Sequence, residues 1–171
     1  NIALHQNAVA EIHGSLEKVQ ESSNHLLSLL NDVLDLSRIE SGKAVFSPEP
    51  VDITKLTDNV LAIMKGLLYN RDLKFEVYRE RPKNSYVLAD AARIRDVLTN
   101  LLSNAVKFTK DGGTVTLNIS SHPGEDDKHI VARYIVQDNG IGMSEEFQKN
   151  LFKPFSQEDD RGARTQYKGT G

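Results

Sequence analysis

The chain has 171 residues, of which 39% are hydrophobic and 26% charged, and its net charge is −3. That length suits one globular domain plus an appendage, and the balance is that of a folded chain, not a disordered one. The acidic balance argues against a nucleic-acid partner, and the absence of cysteine excludes disulfides and thiolate zinc sites and suits a reducing compartment. No apolar run reaches the length of a membrane span and no signal peptide is visible, so no membrane contact is expected of these residues. The sequence opens in mid-pattern at Asn1 and stops on Gly-Thr-Gly, as a piece of a longer protein would.

Residues 1–8 are expected to end one helix, after which irregular residues turn the chain back. From Ile12 to Ile39, Leu16, Val19, Ser23, Leu26, Leu30 and Val33 recur at helical spacing. Leu27, Leu29, Leu34 and Leu36 widen that stripe, so the helix has two sides to bury, as in a helical hairpin that also dimerises. Gly42 can end it in the left-handed conformation. AVFSPEPVDI then alternates loosely around two prolines and reads as an edge strand followed by a turn. Asp52 caps a helix that runs to the neighbourhood of Tyr69. LKFEVYRE (Leu73–Glu80) alternates with period two and reads as a strand, and YVLA (Tyr86–Ala89) as a short one. Asp90 caps a long helix ending near Phe108, and KDGG (Lys110–Gly113) is a turn. Thr114–Ser120 and His129–Asp138 are strands of an antiparallel hairpin joined by the polar SHPGEDDK. Ser144 caps a short helix with Glu145 and Glu146 in its first turn, which favours the helix dipole. After Phe155 the polar SQEDDRGARTQYKGTG reads as a mobile loop, because residues 156–168 carry few apolar side chains to pin them. The sum is an α+β fold: a helical arm, then a two-layer α/β sandwich with helices over one face of a sheet.

NLLSNAVKFT (Asn100–Thr109) sets Asn100, Asn104 and Lys107 on one helix face. A carboxamide oxygen is a hard, neutral ligand suited to Mg²⁺, which keeps several waters and takes few protein ligands. Lys107 adds a compact positive charge for phosphate oxygens. A single asparagine here would read as a polar face whose amide bonds nearby backbone. Two of them four apart, with a lysine three later and a glycine-rich turn beside them, outweigh that reading and can hold a magnesium triphosphate. DNGIGM (Asp138–Met143) follows a strand. Gly140 and Gly142 allow a sharp turn and the close approach of a flat ligand. Asp138, at the strand end, can accept from an exocyclic amine such as that of adenine. Alone, this motif is weak and favours an ordinary tight turn capping the next helix. FKPF (Phe152–Phe155) sets two aromatics around a proline, able to anchor a flexible segment or simply to pack in a core. GTG (Gly169–Gly171) exposes backbone N–H groups suited to phosphates, though it is too short to stand alone.

In this order and spacing, NLLSNAVKFT, DNGIGM, FKPF and GTG resemble the N, G1, F and opening G2 boxes of sensor histidine kinases. The ATP-binding domain of that family shares a superfamily with gyrase, the mismatch-repair ATPases and a major chaperone. HLLSLLNDVLDLSRIESGK (His25–Lys43) is similar to the second helix of the kinase dimerisation domain, and ARTQYKGTG resembles the lid end of bacterial hybrid-type kinases. The resemblance covers nearly the whole chain. It implies a partial dimerisation domain over residues 1–42 and an ATP-binding catalytic domain over 43–171, truncated in the G2 box. Without the strand and helix that usually follow that box, an exposed apolar sheet edge is expected.

The resemblance also assigns residues. It implies a catalytic set of Asn100, Asn104 and Lys107, in which Asn104 ligates Mg²⁺, Asn100 supports metal and phosphates, and Lys107 contacts phosphate. Phe108 would line the nucleotide pocket. Asp138 would bind the adenine amine, with Gly140 and Gly142 shaping that wall. Phe152 and Phe155 would brace the lid, and Arg161 or Arg164 would swing onto the γ-phosphate. Gly169, Thr170 and Gly171 would open the phosphate-binding turn. The phosphoacceptor motif, of S-H-D/E-x-R-x-P type, does not occur: His5, His13, His25, His122 and His129 all lack its context, so the acceptor is expected outside these residues. The implied reaction passes the γ-phosphoryl of Mg-ATP to that histidine. Neutral imidazole is already a nucleophile, so positioning and charge stabilisation carry most of the rate. In ATP hydrolases of the superfamily a glutamate usually holds the place of Asn100 and activates water, which an amide cannot do. Asn100 therefore favours a kinase over a hydrolase. A non-catalytic dimerisation and nucleotide-sensing module is the third reading. The implied partners are a second copy through the helical hairpin and a response-regulator receiver domain. The implied setting is the cytoplasmic part of a membrane-attached parent.

Overall fold

A computed structural model describes residues 2–43, 45–80, 85–126, 128–153 and 156. Contacts divide the chain into two compact units, one ending at Phe46 and the other beginning at Ser47.

The first unit is a single helix, α1 (Ile2–Glu40), 39 residues long. The break expected after residue 8 does not occur. IALHQNAVAEI holds neither glycine nor proline and is rich in good helix formers, so nothing in it stops propagation. The helix ends where expected. Gly42 has φ +65°, its N–H donates to Ile39 O at 3.0 Å, and the Lys43 N–H reaches back to Arg38 O at 2.8 Å. That pair of bonds is a Schellman motif, and it satisfies carbonyls that the end of the helix leaves without partners. Leu16, Val19, Leu26 and Leu30 are 57–67% exposed, so the apolar stripe lies open.

The second unit holds β1 (Glu49–Asp52), α2 (Ile53–Leu68), β2 (Lys74–Arg79), β3 (Tyr86–Ala89), α3 (Ala91–Phe108), β4 (Thr114–Pro123), β5 (Ile130–Asp138) and α4 (Glu145–Gln148). The order is the expected one, with two differences. No turn separates β1 from α2. Asp52 is at once the last strand residue and the helix cap, its Oδ1 accepting from Thr54 N at 3.0 Å and Lys55 N at 3.3 Å. β4 also runs on through Ser121, His122 and Pro123, which pair with Ala132, Val131 and Ile130. Cross-strand pairing carries these polar residues into the ladder where alternation gives no signal.

The strands form two sheets. β1 pairs with β3 antiparallel, and β2, β4 and β5 form a second sheet in the order β2-β4-β5. Within it β2 runs parallel to β4, from Lys74↔Thr114 to Arg79↔Ile119, and β4 antiparallel to β5, from Val115↔Asp138 to Pro123↔Ile130. Val115 and Leu117 point inward from β4 and meet Leu56, Val60 and Met64 of α2 and Leu98, Leu102 and Val106 of α3. The same three-stranded sheet therefore buries one face under two amphipathic helices. Among the described residues β5 pairs only with β4, and Ile130, Val131 and Ile135 on it are exposed.

Met64 is wholly buried. Met64→Ala should cost about 2–5 kcal/mol in urea unfolding, from lost transfer energy and the cavity left behind. Asp90 caps α3, Oδ1 accepting from Arg93 N at 3.1 Å and Oδ2 from Ser47 N at 3.1 Å. These backbone donors, Arg93 first, hold its carboxyl below the usual aspartate value. A depressed folded value means that the contribution is present above the unfolded pKa and is lost as pH falls through the folded one. The stability difference between wild type and Asp90→Asn should accordingly shrink in that acid range, as followed by unfolding at stepped pH.

Candidate functional site

Chain topology brings the two principal motifs together. α3 ends at Phe108, a turn follows, and β4 starts at Thr114. Because β5 returns antiparallel, its last residue, Asp138, lies opposite Val115 at the beginning of β4. The loop after Asp138 must then pass the end of α3. Three hydrogen bonds close that junction: Ile141 N–H to Phe108 O at 3.2 Å, Asn139 N–H to Thr114 O at 3.2 Å, and Thr114 N–H to Asn139 Oδ1 at 2.7 Å. Gly140 sits in the tightest place. A Cβ there would lie 2.8 Å from the Phe108 carbonyl carbon and closer still to its oxygen. Gly142 has φ +68°, which a side chain would strain.

The core face of α3, Leu98, Leu102, Ala105 and Val106, is buried. The helical period turns Asn100, Asn104 and Lys107 to the opposite side. Asn100 and Asn104 are exposed, and among the described residues neither side-chain amide has a hydrogen-bond partner. The bland expectation, amides tied to nearby backbone, is not met. Lys107 is half-buried, its Nζ 4.9 Å from the Phe108 ring centroid, and it has no ion pair among the described residues. This cation–π contact holds a charge beside an exposed ring without neutralising it. Phe108 is 42% exposed. Asp138 is exposed, and its Oδ1 accepts from Gly140 N at 2.9 Å, an Asx-type turn that leaves Oδ2 unpartnered among the described residues. Ile141 and Met143 are exposed in the same loop. Beyond it α4 begins at its cap, where Ser144 Oγ accepts from Phe147 N at 3.1 Å, and Gln148 Nε2 donates to Met143 O at 2.9 Å.

Other expected residues do not join this group. Phe152 is 94% exposed and packs in no core. Phe155, Arg161, Arg164, Gly169, Thr170 and Gly171 lie outside the described residues, as does the expected mobile loop beyond Ser156. The hollow lined by Ile53, Thr57, Arg79, Ser121 and Tyr134 lies at the other end of the sheet, where Ser121 pairs with Ala132, and none of the expected site residues lines it. Sequence reasoning missed Asn139 and Gly113. A Cβ on Gly113 would lie 2.8 Å from Lys110 O and 2.9 Å from Asn139 Oδ1. The doubled glycine of KDGG was the available signal, since one glycine already makes the turn.

Gly140→Ala should lower stability by about 1–3 kcal/mol through overpacking against Phe108. Denaturant unfolding gives that cost, and faster amide exchange at Ile141 should accompany it as the bond to Phe108 O is pushed open.

Residues 89–171 match the family model described as histidine kinase-, DNA gyrase B-, and HSP90-like ATPase. Over 158 residues the chain is 37% identical to the sensor protein GacS of Pseudomonas syringae pv. syringae, covering 91% of this chain and 17% of GacS. It is 39% identical over 158 residues to the circadian input-output histidine kinase CikA of Synechococcus elongatus, covering 91% of this chain and 20% of CikA. The chain thus spans about a fifth or less of the curated relatives it matches. The crystal structure of full-length ShkA in complex with AMPPNP superposes with a TM-score of 0.67 at 31% identity, covering 85% of this chain and 30% of ShkA. Residues 89–171 thus match a histidine kinase-, DNA gyrase B-, and HSP90-like ATPase domain, and the relatives that the chain resembles over nine tenths of its length include sensor histidine kinases.

Proposed function

We propose that the second unit binds Mg-ATP between α3 and the Asp138–Gly142 loop and transfers the γ-phosphoryl to a histidine outside these residues. It would act as the catalytic part of a two-component sensor histidine kinase. One observation carries the reading: two amides and a lysine that have no hydrogen-bond or ion-pair partner among the described residues share the outward face of a helix whose last turn is bonded to the loop bearing Asp138. ShkA, similar in sequence and fold, was solved with AMPPNP, which supports a nucleotide at this place.

In this reading Oδ2 of Asp138, which has no partner among the described residues, accepts from the exocyclic amine of adenine. Phe108, Ile141 and Met143 offer apolar surface to the base, and Gly140 and Gly142 let it approach the backbone. The triphosphate runs along α3, where Lys107 supplies positive charge. The donor set fits Mg²⁺: amide oxygens are hard and neutral, and among the described residues no cluster of three acidic, histidine or cysteine side chains forms a protein cage. Asn104 would hold the ion with Asn100 in support. When bound it neutralises charge on the phosphate oxygens. Arg161 or Arg164 would meet the γ-phosphate, Phe152 and Phe155 would brace the lid, and Gly169, Thr170 and Gly171 would line the phosphates.

Asn100 cannot take a proton from water, which favours transfer to an imidazole over hydrolysis. The exposed apolar stripe of α1 supports pairing with a second copy through a helical hairpin. A response-regulator receiver domain is the onward acceptor in this scheme. No helix among the described residues is long and apolar enough to cross a membrane, so the attachment expected of the parent would lie in other segments.

Asp138→Asn should weaken ATP binding roughly 10- to 100-fold, the worth of a charge-assisted hydrogen bond, and erode the preference for ATP over GTP. Asn104→Ala should remove the Mg²⁺-dependent part of the affinity and spare ADP bound without metal. Calorimetry and thermal shift report both effects, and unaltered binding in the two variants would overturn the site. With labelled ATP and a separately supplied acceptor-helix fragment, label on the fragment is expected; free phosphate alone would turn the reading toward a hydrolase.

A further inference from the structure

Arg71 follows α2, outside all four family boxes, and its side chain is only 20% exposed. Its guanidinium makes three bonds, all to the end of α3 and the turn behind it. Nη1 donates to Val106 O at 3.2 Å, Nη2 to Thr109 O at 2.7 Å, and Nε to Asp111 Oδ1 at 2.8 Å. The two carbonyls bracket Lys107 and Phe108. Helix-terminal carbonyls need outside donors, and a planar fork of N–H groups fixes their spacing as a flexible ammonium cannot. The adjoining backbone docks on the same segment, with Gly112 N–H on Asp72 O at 2.6 Å and Lys74 N–H on Gly113 O at 2.9 Å.

On its other side that last turn is held by the Ile141 N–H on Phe108 O. The end of α3 is therefore clamped between Arg71 and the loop that carries Asp138. The body of the helix is held separately, by Leu98 and Leu102 in the core. Removing the guanidinium takes two donors from the last turn, which Ala105 and Val106 also hold in the core, so the turn should loosen while the helix stays seated.

We infer that Arg71 is a positioning residue for the nucleotide: by gripping Val106 O and Thr109 O it sets Lys107 and Phe108 in register with Asp138. The inference rests on the nucleotide reading given above. Arg71 touches no reacting atom; it acts through the backbone that carries those side chains.

The test compares wild type, Arg71→Ala, Arg71→Lys and Arg79→Ala. The last removes the 2.8 Å pair of Arg79 with Asp58, near the far end of the sheet. Binding of Mg-AMPPNP is measured by calorimetry at a temperature where circular dichroism shows every variant folded. Arg71→Ala should bind roughly tenfold more weakly, the scale of one lost charge-assisted hydrogen bond, and Arg71→Lys should recover part of that loss. Arg79→Ala should lower the melting temperature and leave affinity unchanged. Amide exchange adds a second readout: in Arg71→Ala it should quicken at Ile141 and not at Leu102, whereas plain destabilisation quickens both. Wild-type affinity in Arg71→Ala, or uniform exchange like that of Arg79→Ala, overturns the inference and leaves the nucleotide reading intact. Failure of wild type to bind Mg-AMPPNP overturns both.

Discussion

The second unit depends on one short contact, the Phe108 carbonyl facing Gly140 and accepting from the Ile141 N–H. A helix end and a strand end meet there with no side chain between them. Any residue larger than glycine at position 140 would separate them. The polar face of α3 and the carboxylate of Asp138 are otherwise independent features on different elements. Backbone pressed against backbone gives them a fixed separation, and rigid elements hold functional groups more tightly than loops do.

The helix that bears this contact has two faces with opposite duties. Leu98, Leu102, Ala105 and Val106 bury one of them, and this burial fixes the rotation of the helix about its axis. Once that rotation is set, Asn100, Asn104 and Lys107 have to face outward. In the proposed reading neutral amides suit that face, because carboxylates along the same line would repel a triphosphate. That neither amide has a side-chain partner among the described residues agrees with that reading. An amide tied to the backbone would have to give up that bond before holding a metal ion or a phosphate.

The first unit follows a different logic. α1 is long, ends in a well-made Schellman cap, and exposes leucines along much of its length. Isolated helices gain little from propensity alone, and most helical stability in proteins comes from packing an apolar face. The stripe therefore calls for another surface. The similarity to GacS and CikA covers 91% of the chain and so reaches into the first unit as well as the second.

The amino-acid sequence alone determined the element order from β1 onward, the caps at Asp52, Asp90 and Ser144, the stop at Gly42, and the resemblance to sensor histidine kinases, because these rest on local chemistry and on ordered short motifs. It also put Asn100, Asn104 and Lys107 on one face, since helical periodicity needs no tertiary knowledge. It placed a break after residue 8 where none occurs, although the lack of glycine and proline there leaves nothing to stop the helix. Only tertiary structure decided that β1 and β3 pair apart from β2, β4 and β5, that β4 continues to Pro123, and that Asn139, Gly113 and Arg71 frame the junction. Those facts turn on partners distant along the chain, such as Arg71 and Thr109 or Asn139 and Thr114. Residue type does not encode which carbonyl a guanidinium will find; the packing of strands and helices supplies that neighbour.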